Sequence, residues 1–440
     1  MAAPLLPASR PAMTRRTLLK SAAVAAGALA APRWLPAAQL GPDSRVSFTG
    51  ADSLRAHAQA RGLFYGASVH PALLDLDGLA NGNTADPYTE LVVSQANILV
   101  AENAMKWEAL RPTAATFNFA PADRLLRFAT LAQQRVRGHN LCWHEALPAW
   151  FKATATTTNA RNLLVEHIQT VAGRYKGQIH SWDVVNEAVE PKDGRPDGLR
   201  TSPWLGLVGP DYIELAFQTA AAADPGAKLV YNEYGIELDT AEDAAKRGHV
   251  MMLLRRLKAR NIPIHAVGIQ SHLQATGPQP GIGLQTLIRD VRKLGLDAYI
   301  TELDVNTHNL EGGPEAQDYA VAQVYRNYLG LVLAEPNVPV VLTWGITAAH
   351  TFLNESSEPW IRRADGFRQH PLPFDDDYRP TPAFIALRNA IDYSRPLVAT
   401  PAAPATPQID PNSLYKPFRV QGSPTTAPPP ASLPPTPQEQ

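Results

Sequence analysis

Eight short runs rich in β-branched and aromatic residues recur along the chain, each separated from the next by a longer segment of helical period. No other feature restricts the fold as much. The runs are Phe64 to His70, Asn97 to Asn103, Arg135 to His144, His180 to Glu187, Lys228 to Tyr234, Ala266 to His272, Ala298 to Asp304 and Val340 to Ile346. Such alternation gives parallel strands joined by crossover helices. The intervening segments carry apolar stripes, for example Leu164, Ile168, Val171 and Tyr175, then Val250, Leu253, Leu254 and Leu257, then Ala322, Tyr325, Leu329 and Val332. Each stripe can bury one helix face on a sheet. Asp224-Pro225-Gly226 and Asn261-Ile262-Pro263 sit where a helix has to stop before the next strand. An open doubly wound sheet would alternate in the same way, but no Gly-x-Gly-x-x-Gly follows the first run. Eight is the number that closes a barrel. The expected fold class is α/β, a (β/α)8 TIM barrel forming a single catalytic domain over residues 44–393.

The segments outside that span read differently. Arg15-Arg16 followed by the alanine-rich run from Ser21 to Ala31 resembles a twin-arginine export signal, and Ala28-Leu29-Ala30 offers small residues for cleavage. Residues 1–38 are therefore expected to be a signal peptide, with Met13 as an alternative start. Its apolar stretch of about ten residues is too short to span a bilayer, which takes about 20. The expected location is periplasmic or secreted, without a membrane anchor. At the other end, 13 of the 40 prolines fall between Pro396 and Pro437. That composition cannot repay the entropy of ordering, so residues 394–440 are expected to be a disordered tail.

Charge and cysteine content narrow the chemistry. With 40 basic and 41 acidic residues the net charge is −1, which gives no field suited to nucleic acid or an anionic membrane. A neutral substrate fits better. Cys142 is the only cysteine, so neither an intrachain disulfide nor a cysteine-rich metal site is available. The thiol is expected to be buried. No cofactor, no metal and no partner protein are expected, and the chain is read as a monomer.

Polar residues gather at the C-terminal ends of the runs, where barrels of this kind build their active sites. They are Glu102-Asn103, His139, Trp143-His144, Asn186-Glu187, Asn232-Glu233, Gln270, His272, Glu302, Asp304 and Trp344. Cleavage of a glycosidic bond needs a protonated carboxyl beside the leaving oxygen and an ionised carboxylate beneath the anomeric carbon. The fourth and seventh strands lie on opposite sides of a barrel mouth, so Glu187 and Glu302 can face each other across a sugar. His272 and Asp304 are placed to hold Glu302 ionised, and its negative charge is expected to keep Glu187 protonated. A strand running through His139 and His144 would put their rings on opposite faces, which disfavours a shared metal. Trp143, Trp204, Trp344 and Tyr234 offer flat faces that could stack on sugars, whereas Trp182, inside its run, is expected to pack.

These residues fall in recognisable motifs. Over about Leu54 to Asn389 the chain resembles glycoside hydrolase family 10, the endo-1,4-β-xylanases. The resemblance is carried by Glu102-Asn103-Ala104-Met105-Lys106-Trp107, the run from Arg137 to His144, Trp182 to Ala188, Gly268 to Leu273, Ile300 to Asp304, and Pro371 to Asp375. It implies a retaining, endo-acting hydrolase of xylan or xylo-oligosaccharides, with Glu187 as acid/base and Glu302 as nucleophile. It also implies that Asn186 meets the sugar 2-hydroxyl, and that Glu102, Asn103, Lys106, His139, Trp143, Gln270, His272 and Trp344 contact the glycone. Departures occur at Glu145-Ala146 where the family has Ser-Gln, at Glu233 and Gly235 where it has Asp and Asn, and at Ala348 and Thr351-Phe352 where it has Asp and Ser-Trp. They leave room for a cellobiosidase-like β-glycosidase on the same site, or for a secreted carbohydrate-binding protein that has lost turnover.

Overall fold

The computed structural model describes residues 46–398 apart from positions 84 and 360. The expected signal peptide at 1–38 and the tail beyond 398 lie outside the described residues. Nine strands are present among them: β1 (Phe64–Val69), β2 (Ile98–Ala101), β3 (Arg135–His139), β4 (Ser181–Asn186), β5 (Lys228–Glu233), β6 (Ala266–Ile269), β7 (His272–Gln274), β8 (Asp297–Asn306) and β9 (Val340–Thr343). All pair in parallel, in the order β6-β5-β4-β3-β2-β1-β9-β8, and β6 pairs with β8 to close the ring. β7 is a short continuation of β6 along the upper part of β8. The expected (β/α)8 barrel is therefore the observed one.

The predicted stripes are the buried faces of helices Ala160–Arg174, Ala241–Ala259 and Pro314–Val332. They form the large apolar layer between the barrel and its helices. Inside the barrel lies a second, smaller cluster of Ile98, Val100, Val230, Ala266, Tyr299, Val340, Leu342 and Trp344. Two glycines are needed for close approach. A Cβ on Gly138 would lie 2.0 Å from the Trp182 ring, and one on Gly268 would lie 2.1 Å from the Asn232 amide oxygen. Trp182 is fully buried and donates its indole N–H to Asp224, as packing requires.

Three expectations need correction. The third run does not stay extended to His144, because the strand ends at His139 and Asn140 to His144 form a loop at the C-terminal mouth of the barrel. The argument from opposite pleat faces therefore does not apply to His139 and His144. Trp204 is not a sugar platform: it is 1% exposed and stacks on Trp107 at 4.9 Å. The packed domain also runs past residue 393. Arg395 and Val398 donate backbone N–H groups to the carbonyls of Leu333 and Pro336, and Ser394 is buried.

Candidate active site

Strand β8 is the longest and carries Glu302 and Asp304 two residues apart, hence on the same face. Against β9 it holds one extra residue between Ile300 and Leu303, a bulge of the kind that re-aims a side chain at a barrel rim. Glu302 points into a set of donors. Asn232 Nδ2 donates to its Oε1 at 2.7 Å, and His272 Nε2 lies 3.3 Å from its Oε2. The other ring nitrogen, Nδ1, lies 3.0 Å from Asp304 Oδ1. His272 is thus held between two carboxylates, and their charges and hydrogen bonds, led by Asp304, outweigh burial and hold its pKa well above the ordinary value.

Below this set runs a polar column inside the barrel. Arg137 donates to Ser181 and pairs with Asp183, whose other oxygen lies 3.0 Å from His139 Nδ1. Burial alone would raise the pKa of Glu302. The His272 hydrogen bond, the charges of His139 and His272 and the Asn232 amide reverse that and bring it down to about 2.

Glu187 sits just beyond β4 with its side chain 11% exposed, and its surroundings act in the opposite direction. Trp143 Nε1 donates to Oε2 at 2.8 Å, while Gln270 Nε2 and Asn186 Nδ2 donate to Oε1 at 2.9 and 3.1 Å. Its pKa is nonetheless raised, and burial is the largest cause. The negative charge of Glu233 adds more than that of Glu302 does. The charge of Glu302 raises the Glu187 pKa in the expected direction, but desolvation leads.

The two glutamates are linked by side-chain amides. Asn186 donates to Glu187, and Asn232 donates both to Asn186 Oδ1 at 2.8 Å and to Glu302 at 2.7 Å. The Thr301 hydroxyl donates to Asn232 Oδ1 and thereby fixes which way that amide faces. Two neighbouring carboxyls with opposite pKa shifts are what an acid and a nucleophile require.

The remaining expected residues assemble beside them. Lys106 donates to Asn103 at 2.7 Å, and its ammonium lies 5.4 and 6.0 Å from the ring centres of Trp143 and Trp344. His139 lies 5.4 Å from Trp344 and 6.4 Å from Trp143. Glu102 pairs with His70 at 2.7 Å. Among the described residues no three His, Cys, Asp or Glu side chains are grouped so as to hold a metal ion.

The sequence profile described as Glycosyl hydrolase family 10 matches residues 53–390. The chain belongs to glycosyl hydrolase family 10. A β-1,4-xylanase of Dictyoglomus thermophilum is 34% identical over 305 residues, covering 68% of this chain and 82% of its own. A thermostable celloxylanase of Thermoclostridium stercorarium is 34% identical over 342 residues, covering 71% and 83%. Xylanase 10B of Thermotoga petrophila RKU-1, solved in complex with xylobiose, superposes with a TM-score of 0.68 at 30% identity, over 77% of this chain and 97% of that one.

Two parts of this family 10 site were noted in the sequence without the role their geometry gives them. Asn232 was noted only as a strand-end residue, yet it joins both glutamates. His144 Nδ1 lies 4.0 Å from Glu187 Oε2, and burial and the charges of Arg200 and Lys246 hold its pKa down at about 4, so the ring is neutral. At the departures from the family pattern, Phe352 packs edge-on against His272 with ring centres 5.8 Å apart. Thr351 turns its hydroxyl to the Leu353 N–H, and His350 lies against Tyr88 and Tyr378.

Proposed function

We propose that the chain is a retaining endo-1,4-β-xylanase in which Glu302 is the nucleophile and Glu187 the acid/base. The observation that carries this reading is the pair of opposite pKa shifts on two carboxyls joined through Asn186 and Asn232. Glu302 attacks the anomeric carbon, and Glu187 gives its proton to the departing glycosidic oxygen. A covalent glycosyl-enzyme results. Glu187, now ionised, takes a proton from water, whose oxygen displaces Glu302 and restores both carboxyls. Two inversions give net retention, so proton NMR of xylohexaose hydrolysis is expected to show the β-anomer first. An α-anomer as first product would exclude the mechanism. Xylan and xylo-oligosaccharides are the substrates this reading favours, supported by the xylobiose bound to the Thermotoga petrophila enzyme.

A second reading, broader action on glucose-based chains, is favoured by Phe352 and by the relative named as a celloxylanase. Xylose carries only hydrogen at C5, whereas glucose carries a hydroxymethyl group. A roof built with Phe in place of Trp excludes that group less firmly. Loss of steric exclusion in a pocket gives up about 1 to 3 kcal/mol of discrimination, roughly 10- to 200-fold. Phe352→Trp is expected to raise the ratio of kcat/KM for aryl xylobioside over aryl cellobioside within that range. An unchanged ratio would show that Phe352 does not set the preference.

A further inference from the structure

The turn that carries Glu187 is held from both sides by side chains outside the family motifs. Glu187 itself has φ +57°, the left-handed region that residues other than glycine seldom adopt. Such a conformation persists only where its surroundings enforce it. Its N–H donates to the Asn232 carbonyl at 2.9 Å, and its own carbonyl accepts from Arg200 Nε at 2.8 Å. The Arg200 backbone N–H donates to the Ala188 carbonyl at 2.7 Å. Two residues beyond Glu187, the Val189 N–H donates to Glu233 Oε2 at 3.1 Å.

Glu233 is completely buried. Tyr231 donates its hydroxyl to Oε2, the Tyr234 N–H donates to Oε1 at 3.2 Å, and Lys246 Nζ lies 2.9 Å from Oε1. Lys246 comes from the helix Ala241–Ala259 and is itself only 5% exposed, with its ammonium 3.7 Å from the centre of the Tyr234 ring. Arg200 closes the circuit by donating to the Tyr234 hydroxyl at 3.0 Å.

Two of the departures belong to this circuit. Glu233 reaches one methylene further than an aspartate would. At Gly235, whose φ is +66°, a Cβ would lie 3.6 Å from Lys246 Cδ, in ordinary contact with the lysine stem. A buried ion pair contributes little net stability compared with an apolar pair of the same size. What the pair does here is hold the backbone, since Glu233 also takes the Val189 N–H two residues beyond Glu187.

We propose that Glu233, Lys246 and Arg200 are positioning residues that fix the turn at Glu187 and so aim its carboxyl at the glycosidic oxygen. This rests on the reading of Glu187 as acid/base. Misplacing a reacting group by about 1 Å can cost about a hundredfold in rate. The cost falls on substrates whose leaving group needs the proton.

The test uses the full chain and two aryl xylobiosides, one leaving as phenol and one as 2,4-dinitrophenol. Glu233→Gln and Lys246→Met are expected to lower kcat/KM on the phenyl substrate about tenfold to a hundredfold, and on the dinitrophenyl substrate less than about threefold. Lys246→Arg, which keeps the cation, is expected to recover most of the phenyl activity. If Glu233→Gln fails to fold because Lys246 is left unpaired, Glu233→Asp and Arg200→Lys serve in its place with the same expected split. Equal losses on both substrates in folded variants would overturn the proposal while Glu187→Ala still separates them. If Glu187→Ala does not separate them, the acid/base reading fails first and takes the positioning role with it.

Discussion

Glu302→Ala is expected to lower kcat on every xylan, xylo-oligosaccharide and aryl xyloside by about five orders of magnitude or more, regardless of leaving group. No other carboxylate in the site is placed to form the covalent bond. Asp304 faces His272, and Glu187, whose pKa burial raises, is turned to Trp143, Gln270 and Asn186. Removing a nucleophile that acts within a cooperating set costs on the order of 10⁶ in rate. Azide should restore turnover by entering the space the carboxylate leaves and attacking the anomeric carbon directly. With a single inversion, the product is the α-glycosyl azide. The measurement is kcat on dinitrophenyl xylobioside with and without azide, with NMR of the product. Residual activity within about a hundredfold of wild type would remove Glu302 from the role.

Glu187→Ala is expected to divide substrates in a way that Glu302→Ala does not. General acid catalysis contributes about 10² to 10⁴ in rate, so kcat/KM on phenyl xylobioside and on xylan should fall by that much. On the dinitrophenyl substrate the first bond cleavage needs no proton, and kcat/KM should remain near wild type. Its kcat should still fall, because the same carboxylate is needed as base when water attacks. Glycosyl-enzyme should therefore accumulate and be visible by mass spectrometry. The pH dependence follows from the raised pKa of Glu187. A raised value keeps the proton to higher pH, so wild-type activity on the phenyl substrate is retained until the pH passes that value and then falls. That alkaline limb should be absent with dinitrophenol as leaving group and in Glu187→Ala. If it persists unchanged in the variant, the proton donor is another group.

Much of this architecture was legible because a barrel repeats one unit. Seven of the eight expected runs contain a barrel strand and the other, Ala298 to Asp304, lies within β8, and several of the polar residues at their ends gather around Glu187 and Glu302. The overrun past His139 has a physical origin. Leu141 and Cys142 are apolar and 0–1% exposed, and burial in a loop under a cleft produces the same sequence pattern as burial in a strand. The split of the sixth run at Ser271 depends on a left-handed residue with φ +69°, which serine does not announce. Trp204 read as a sugar platform because an indole suits either a cleft or a core, and only the stack on Trp107 decides between them.

The two glutamates could be paired from strand number alone, but what tunes them could not. Asn232 acts through an amide whose orientation is set by Thr301 on a different strand. Lys246 stands in a polar stretch of helix beside Ala245 and Arg247, and nothing in that stretch marks it as buried against a carboxylate from β5. Sequence proximity carries the motif, and spatial proximity carries the electrostatics.

Glu302 lies inside β8, at the bulge against β9, in a strand paired with neighbours on both sides, whereas Glu187 lies one residue outside its strand, on a turn tied down by side chains from elsewhere. The two steps of the reaction make different demands on these groups. In the proposed assignment the nucleophile returns to one spot in both steps, while the acid/base must first address an oxygen of the outgoing sugar and then an oxygen of water. Because the second site is built from exchangeable side chains, the balance between hydrolysis and transfer to another sugar can drift by substitution around the turn. The bond-forming end, locked into the barrel wall, is left as it was. Directed evolution toward transglycosylation would on this basis find its mutations at Arg200, Tyr234, Gly235 and Lys246 and not along β8.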